Sequence, residues 1–312
     1  MKIYCYLTGR LGNQLFQYAF ARSLQNKYGG QIIFNTYEFD HYGKKWEKKH
    51  GKFEYELDRF VLNKHVSTES RKLPWYADLR NPIIRVWKKV APKLLFRTMA
   101  RKGCLLWQQE SYIEIPQLNS KSIICNGWWQ DVRYFENINS IISNEIVTKT
   151  KRNIKNVKLY RIIDMPNSVC VSVRGGNYLI PNIKKHFFVC DRKYFLDSIE
   201  EMAKIVKDPN FIIFSDDIRW VKNYLKLEKE FPQFKFYYES GNDDVDEKIR
   251  MMSSCSNFII SNSTFSWWVQ FLCKNQAKEV IAPSAWFTNG KKNGLYQKNW
   301  HLINVDRNIT AK

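Results

Sequence analysis

The second half of the chain alternates continuous apolar runs with amphipathic stretches, and that alternation leaves few folds open. "SVCVSV" (168–173), "NFIIFS" (210–215), "NFIIS" (257–261) and "EVIAP" (279–283) are too apolar to be strands with one wet face. Between them lie "DRKYFLDSIEEMAKIVK", "IRWVKNYLKLEKEF", "DDVDEKIRMMSSCS" and "TFSWWVQFLCKNQ", each with helical spacing of its apolar residues. "FKFYYES" reads as a further strand. Strands greasy on both sides need cover on both sides, which predicts an α/β fold with a parallel sheet.

The front of the chain repeats the theme. "KIYCYL" reads as a strand, "TGRLGN" as a turn, "QLFQYAFARSLQNKYGG" as a helix stopped by Gly29 and Gly30, and "QIIFN" as the next strand. Residues 36–70 read as mixed and turn-rich. From Arg71 to Lys102 there are ten basic residues and one acid, Asp78, with apolar positions at helical spacing. Pro82 and Pro92 suit the first turns of two short helices. This segment fits a basic surface lying on anionic headgroups, and equally two packed helices with solvated lysines. "SIICNG" is a strand that runs into the aromatic turn "WWQDVRYF". Residues 144–167 are polar and read as a link. The expected division is an N-terminal α/β domain over 1–155 and a C-terminal Rossmann-like domain over 165–312.

With 312 residues, 44% of them hydrophobic, the chain can build two cores. Its 50 Lys+Arg against 30 Asp+Glu favour an anionic partner. The seven cysteines (5, 104, 125, 170, 190, 255 and 273) form no C-x-x-C pair and several sit in apolar runs, so a reducing compartment is expected and a zinc site is not. The N-terminus does not read as a signal peptide, and no run approaches the ~20 apolar residues of a membrane span. The expected location is cytoplasmic, with peripheral contact on the inner face of the cell membrane.

In open parallel sheets ligands bind at the carboxyl ends of strands, near a topological switch point. Polar residues gather at those ends: Thr8 to Gln14, Arg174-Gly175-Gly176-Asn177, Ser215-Asp216-Asp217, and Asn262 to Trp267. Two of these segments open helices, whose unpaired N–H groups favour anions. Arg10 and Arg174 supply guanidinium forks for phosphate, and Ser263, Thr264 and Ser266 add hydroxyls. Asp216 and Asp217 suit the paired N–H donors of a guanine edge. Each feature alone also reads as a cap or a turn. There is no G-x-G-x-x-G and no P-loop. Asp244 and Asp246 form a D-x-D at a helix start, where a dipole-complementing role is favoured over a metal site.

Taken together, "GRLGNQLFQYAFARSL", "YELDRF", "NGWWQDVRYF", "VSVRGGNYL", "FIIFSDD" and "NFIISNSTFSWWVQFL" resemble the family 11 glycosyltransferases, the α-1,2-fucosyltransferases. The resemblance implies a GT-B fold, with two Rossmann-like domains facing a cleft and the nucleotide held mainly by the C-terminal one. It implies GDP-L-fucose as donor, no metal or other cofactor, and inversion at the transferred sugar. It places Arg174 on the diphosphate. It sets Arg10, Gly12, Asn13 and Gln14 beside the donor, with Ser172, Gly175, Gly176, Asp216, Asp217, Asn262, Ser263, Thr264, Phe265 and Ser266 around guanosine and phosphate. Trp128, Trp129, Gln130 and Asp131 are acceptor-side candidates. The family pattern at the arginine resembles H-x-R-R-G-D. Here the corresponding positions hold Ser172, Arg174, Gly175, Gly176 and Asn177, so the histidine, the second arginine and the aspartate are absent.

The expected chemistry is an inverting displacement in which Arg174, Arg10 and the Ser263–Ser266 helix start stabilise the leaving GDP. Asn177 orients a hydroxyl or water, and Glu38, Asp40, His41 and Asp131 are the other residues able to serve as base. The expected acceptor is a galactose-type hydroxyl of a surface-polysaccharide or O-antigen oligosaccharide, on a lipid diphosphate, with the 71–102 segment facing the membrane. The alternatives are another nucleotide-sugar donor, or a basic nucleic-acid-binding protein. No nucleic-acid module supports the last, and none is expected as partner.

Overall fold

The structure, a computed structural model, describes residues 1–50, 53–109, 111–175, 190–288 and 294–305. The chain divides into two units, Met1–Val147 with Asn293–Leu295, and Thr148–Lys292 with Tyr296–Lys312. Asn177 and Gly176 lie outside the described residues.

The first unit is a five-stranded parallel sheet. Its strands are β1 (Lys2–Tyr6), β2 (Gln31–Asn35), β3 (Val66–Glu69), β4 (Cys104–Trp107) and β5 (Ser122–Gly127), in the order β3-β2-β1-β5-β4. Helix α1 (Leu11–Tyr28) follows β1 and ends at Gly29, whose φ of 70° a side chain would resist. It is buried on more than one face, since Leu15, Phe16, Tyr18, Ala19 and Phe20 are all at most 1% exposed. Residues 36–70 are more regular than their composition suggests. Helix α2 (Tyr37–His50) has Glu38 and Asp40 in its first turn, and Val66–Glu69 pairs with β2 to form the edge. The charges in "YEFDHYGKKWEKKH" hide the first, and the short, half-exposed β3 hides the second. Strand β4 carries little sequence signal, because only four apolar residues, all buried, mark it. Helices α3 (Pro82–Val90) and α4 (Pro92–Ala100) begin at the two prolines, and Asn81 caps α3 by accepting the Ile83 N–H. Ile84, Leu95 and Met99 pack with Cys104 and Leu106 of β4.

The second unit is a six-stranded parallel sheet. Its strands are β6 (Ser168–Val173), β7 (Asn210–Ser215), β8 (Lys235–Tyr238), β9 (Asn257–Ile260), β10 (Val280–Pro283) and β11 (His301–Ile303), in the order β8-β7-β6-β9-β10-β11. All six residues of β6 are buried, as the uniform apolar run requires. The stretch 148–163 belongs to this unit. Glu247 accepts from Asn153 N–H, Asn156 and Tyr160 and pairs with Arg250, while Asp246 accepts from Thr150. The acids of the D-x-D neighbourhood thus clamp backbone and side chains that read from sequence as a link. All seven cysteines are buried free thiols. Among the described residues no helix is long and apolar enough to cross a membrane.

Candidate functional site

The strand order locates the site in each unit. In the second unit the chain runs outward from β6 to β7 and β8, then returns to β9 on the other side of β6. The crevice between the carboxyl ends of β6 and β9 is therefore the switch point. In the first unit the reversal falls between β1 and β5 by the same reasoning.

Register sets the geometry beyond β6. Val173 pairs with Ser215, so the residues that follow, Arg174 and Asp216, emerge side by side. Asp216 Oδ1 accepts the Gly175 N–H at 3.1 Å, and Oδ2 lies 3.7 Å from Arg174 Nε, an ion-pair rather than a hydrogen-bond distance. Arg174 is 23% exposed. Asp217 accepts the Trp220 N–H at 2.9 Å and so caps the helix Ile218–Leu225, α5. The S-D-D pair is split: one acid positions Arg174 and the other starts a helix. A Cβ at Gly175 would come within 2.7 Å of the Trp220 ring. An arginine at this position, as in the family pattern, would need that space.

Across the switch point, Ser172 Oγ and Ser266 Oγ are 2.7 Å apart and buried, and Ser261 Oγ lies 3.3 Å from Ser266. Asn262 donates to the Trp286 carbonyl and is 1% exposed. These polar groups tie β6, β9 and the next helix together from inside. Helix α6 (Thr264–Leu272) starts at Ser263, where the part-exposed residues are Thr264 and Phe265.

The first unit's switch point is held by glutamines. Gln17, fully buried, accepts the Thr8 N–H and donates to the Gly127 carbonyl, joining the ends of β1 and β5. Gln14 donates to the Gly9 and Glu54 carbonyls and accepts the Glu56 N–H. Glu56 in turn accepts the Leu11 N–H at 2.6 Å, placing a carboxylate on the N-terminus of α1. Gly9, at φ +78°, approaches Asn13 too closely for any Cβ. Gln130 donates to Asn13 Oδ1 at 3.0 Å. Nothing in the sequence marks Gln17, because it is one of several polar residues spread along α1. Glu56 lies in "YELDRF" beside Glu54, Asp58 and Arg59, and nothing in the sequence separates it from those charges.

The remaining sequence-derived residues divide clearly. The Trp129 ring is 1% exposed and stacks on Phe20 at 3.9 Å, so it is core. Both oxygens of Asp131 are engaged by Arg133, and Oδ1 also accepts the Arg133 N–H. Asp40 accepts from Thr36, and His41 stacks on Tyr37 with Nδ1 3.0 Å from the Tyr37 carbonyl oxygen. Glu38 faces Thr8 and Arg80, at the carboxyl end of the sheet.

These two Rossmann-like sheets, with polar loops at their switch points, have the GT-B fold of glycosyltransferases. The model of glycosyl transferase family 11 matches residues 2–304, and the chain belongs to that family. It is 30% identical over 294 residues to an alpha-1,2-colitosyltransferase of Escherichia coli, covering 93% of each chain. It is 25% identical over 313 residues to the O-antigen biosynthesis glycosyltransferase WbnK of Escherichia coli, covering 96% of this chain and 99% of the relative. Among solved structures, the α-1,6-fucosyltransferase NodZ of Bradyrhizobium, co-crystallised with GDP, superimposes with a TM-score of 0.50 at 13% identity, over 87% of this chain and 92% of that one. A FUT1 variant of Arabidopsis thaliana in complex with GDP gives 0.50 at 10% identity, over 89% and 69%.

Burial pushes the Glu56 carboxyl above its ordinary range, only partly offset by the Leu11 N–H. The unfolded chain therefore ionises this group first, and its contribution to stability falls as pH rises through the unfolded value toward the folded one. Replacing Glu56→Gln should accordingly gain stability relative to wild type as pH rises above the ordinary glutamate value of about 4.3. Urea midpoints below and above that pH check it, and a gain confined to low pH would contradict the burial argument.

Proposed function

We propose that this glycosyltransferase moves L-fucose from GDP-L-fucose, with inversion, to a hydroxyl of a galactose-type residue in an O-antigen or related surface oligosaccharide. The observation that carries the reading is Arg174, held by Asp216 at the switch point of the second unit, across from the start of α6. As the bond from the sugar's anomeric carbon to the diphosphate oxygen breaks, negative charge grows on the leaving GDP. A positioned guanidinium and helix N–H groups stabilise that charge without a metal ion. Thr264 and Phe265 at the helix start are the further donor-contact residues in this reading. The acceptor oxygen bonds to the anomeric carbon on the face opposite the departing GDP, and its proton passes to solvent water. A second sugar is favoured by one observation: the relative at 30% identity is named for colitose transfer. The chemistry at Arg174 is the same for either sugar.

We further propose a cytoplasmic enzyme that rests on the anionic inner face of the membrane, where a lipid-diphosphate-linked acceptor would be found. Helices α3 and α4 leave Ile83, Val86, Val90 and Leu94 exposed at 64%, 64%, 77% and 58%, and Trp75 nearby at 61%. Arg85, Lys89, Lys93, Arg97 and Arg101 are exposed among them. Apolar side chains ringed by bases suit an interface of acyl chains and anionic headgroups, at about 1 kcal/mol per basic residue.

Two measurements check these readings. Replacing Arg174→Ala should lower kcat/KM for GDP-L-fucose by about 10²–10³-fold. Asn177→Ala should stay within about tenfold, short of the 10²–10⁴ expected of a general base. Equal, small effects of both would contradict the assignment. In vesicle flotation, the protein should rise with phosphatidylglycerol vesicles and not with neutral ones, lose binding in high salt, and lose it in the double variant Val86→Asp, Val90→Asp. Binding that ignores salt and both substitutions would remove the membrane surface.

A further inference from the structure

The first unit contains a cavity of about 250 Å³. It opens at the carboxyl ends of β1 and β5, where that sheet's strand order reverses, so it occupies the place where open α/β sheets take ligands. A larger depression of about 1260 Å³ lies at the opposite end, lined by Met1, Lys2, Gly30, Gln31 and Ser122. Size favours that depression, but it sits at the amino ends of the strands, away from every polar loop described above. Position decides for the smaller cavity.

Its lining is mixed in character. It includes the rings of Trp46, Phe53 and Trp128. It also includes Thr8, Glu38 and Arg80, with Glu38 tied to the other two. Thr8 Oγ1 donates to Glu38 Oε1 at 2.9 Å, and Arg80 lies 4.0 Å from Glu38 Oε2. Arg80 also donates to the Tyr6 hydroxyl at 3.0 Å and pairs with Asp78 at 3.1 Å, while its guanidinium lies over the Tyr42 ring. Burial, then the Glu38 carboxylate, pushes the Tyr6 hydroxyl up, so it remains a phenol able to donate. The Asn126 amide donates to the Ala77 carbonyl.

We infer that this cavity binds one sugar ring of the acceptor, with the ring's apolar face against the aromatic lining and its hydroxyls on Glu38 and Arg80. The volume falls just below the about 300–1,000 Å³ of drug-sized ligand sites, which suits a single ring. A carboxylate accepts from hydroxyls and a guanidinium donates to them, so the pair matches a group that both donates and accepts. Its ties to Thr8 and Arg80 fix the Glu38 side chain in place, so little ordering is needed on binding. A nucleotide base or diphosphate fits less well, because two carboxylates, Glu38 and Asp78, face the same space. The inference rests on the transferase reading for the sugar's role as acceptor and for the choice of a galactose type.

Saturation-transfer NMR on the full chain tests it, with methyl β-galactoside and GDP as separate probes. The galactoside should bind wild type, and Trp46→Ala and Glu38→Ala should each weaken it at least tenfold while GDP affinity stays within twofold. Trp46 is 42% exposed, so its removal leaves the core intact. Retained GDP binding reports a folded second unit, and an unchanged far-ultraviolet circular-dichroism melt reports a folded first unit. Galactoside binding unchanged in both variants, or GDP binding with no signal from methyl galactoside, glucoside or N-acetylgalactosaminide, would overturn the site. Sugar binding that depends on Trp46 and Glu38 without any GDP binding would uphold this site while removing the donor reading.

Discussion

The carboxylate of Asp216 is the contact around which the second unit's site is organised. It takes the Gly175 N–H with one oxygen and faces Arg174 with the other, so one side chain fixes both the turn and the guanidinium after β6. It can do so because β6 and β7 pair in parallel with Val173 opposite Ser215. A slip of one residue would move Arg174 to the other face of the sheet. The apolar run of β6, buried on both sides, makes such a slip costly. Core burial and site geometry are thus one constraint.

The same frame gives physical content to the chain's departures from its family's pattern. At Gly175 the space an arginine would use is filled by Trp220, itself stacked on Tyr224 at 4.6 Å. At Ser172 the hydroxyl is bound to Ser266 across the switch point. Both positions have become part of the packing between β6 and its neighbours. In the proposed mechanism more of the charge on the leaving diphosphate then rests on Arg174 and the α6 N-terminus.

Much of this was legible in the sequence, for reasons that can be named. Strands buried on both faces announce themselves as unbroken apolar runs, and Pro82 and Pro92 mark helix starts because proline suits a first turn. The polar segments after β1, β6, β7 and β9 were visible because strand ends in a parallel sheet carry them. What escaped was set by tertiary contact. Helix α2 is too charged to show a stripe, and β4 and the edge strands β3 and β11 are too short to show a period. Trp129 reads from sequence as an acceptor-side candidate like Trp128, yet its backbone stands at φ 55° and its ring stacks on Phe20. The sequence also could not divide Asp216 from Asp217, because only the start of α5 decides which one caps. Gln17 and Glu56 gained their roles from partners 110 and 45 residues away.

The central claim is that protein cations and helix N–H groups, not a metal ion, carry the diphosphate of a GDP-sugar. Its most direct test is nucleotide release from a panel of GDP- and UDP-sugars, incubated with a β-galactoside acceptor in the presence and absence of EDTA. The account predicts acceptor-dependent release of GDP from GDP-L-fucose or another GDP-sugar, unchanged by EDTA. Consumption of UDP-sugars instead, or loss of turnover on chelation with recovery on adding a divalent ion, would contradict it.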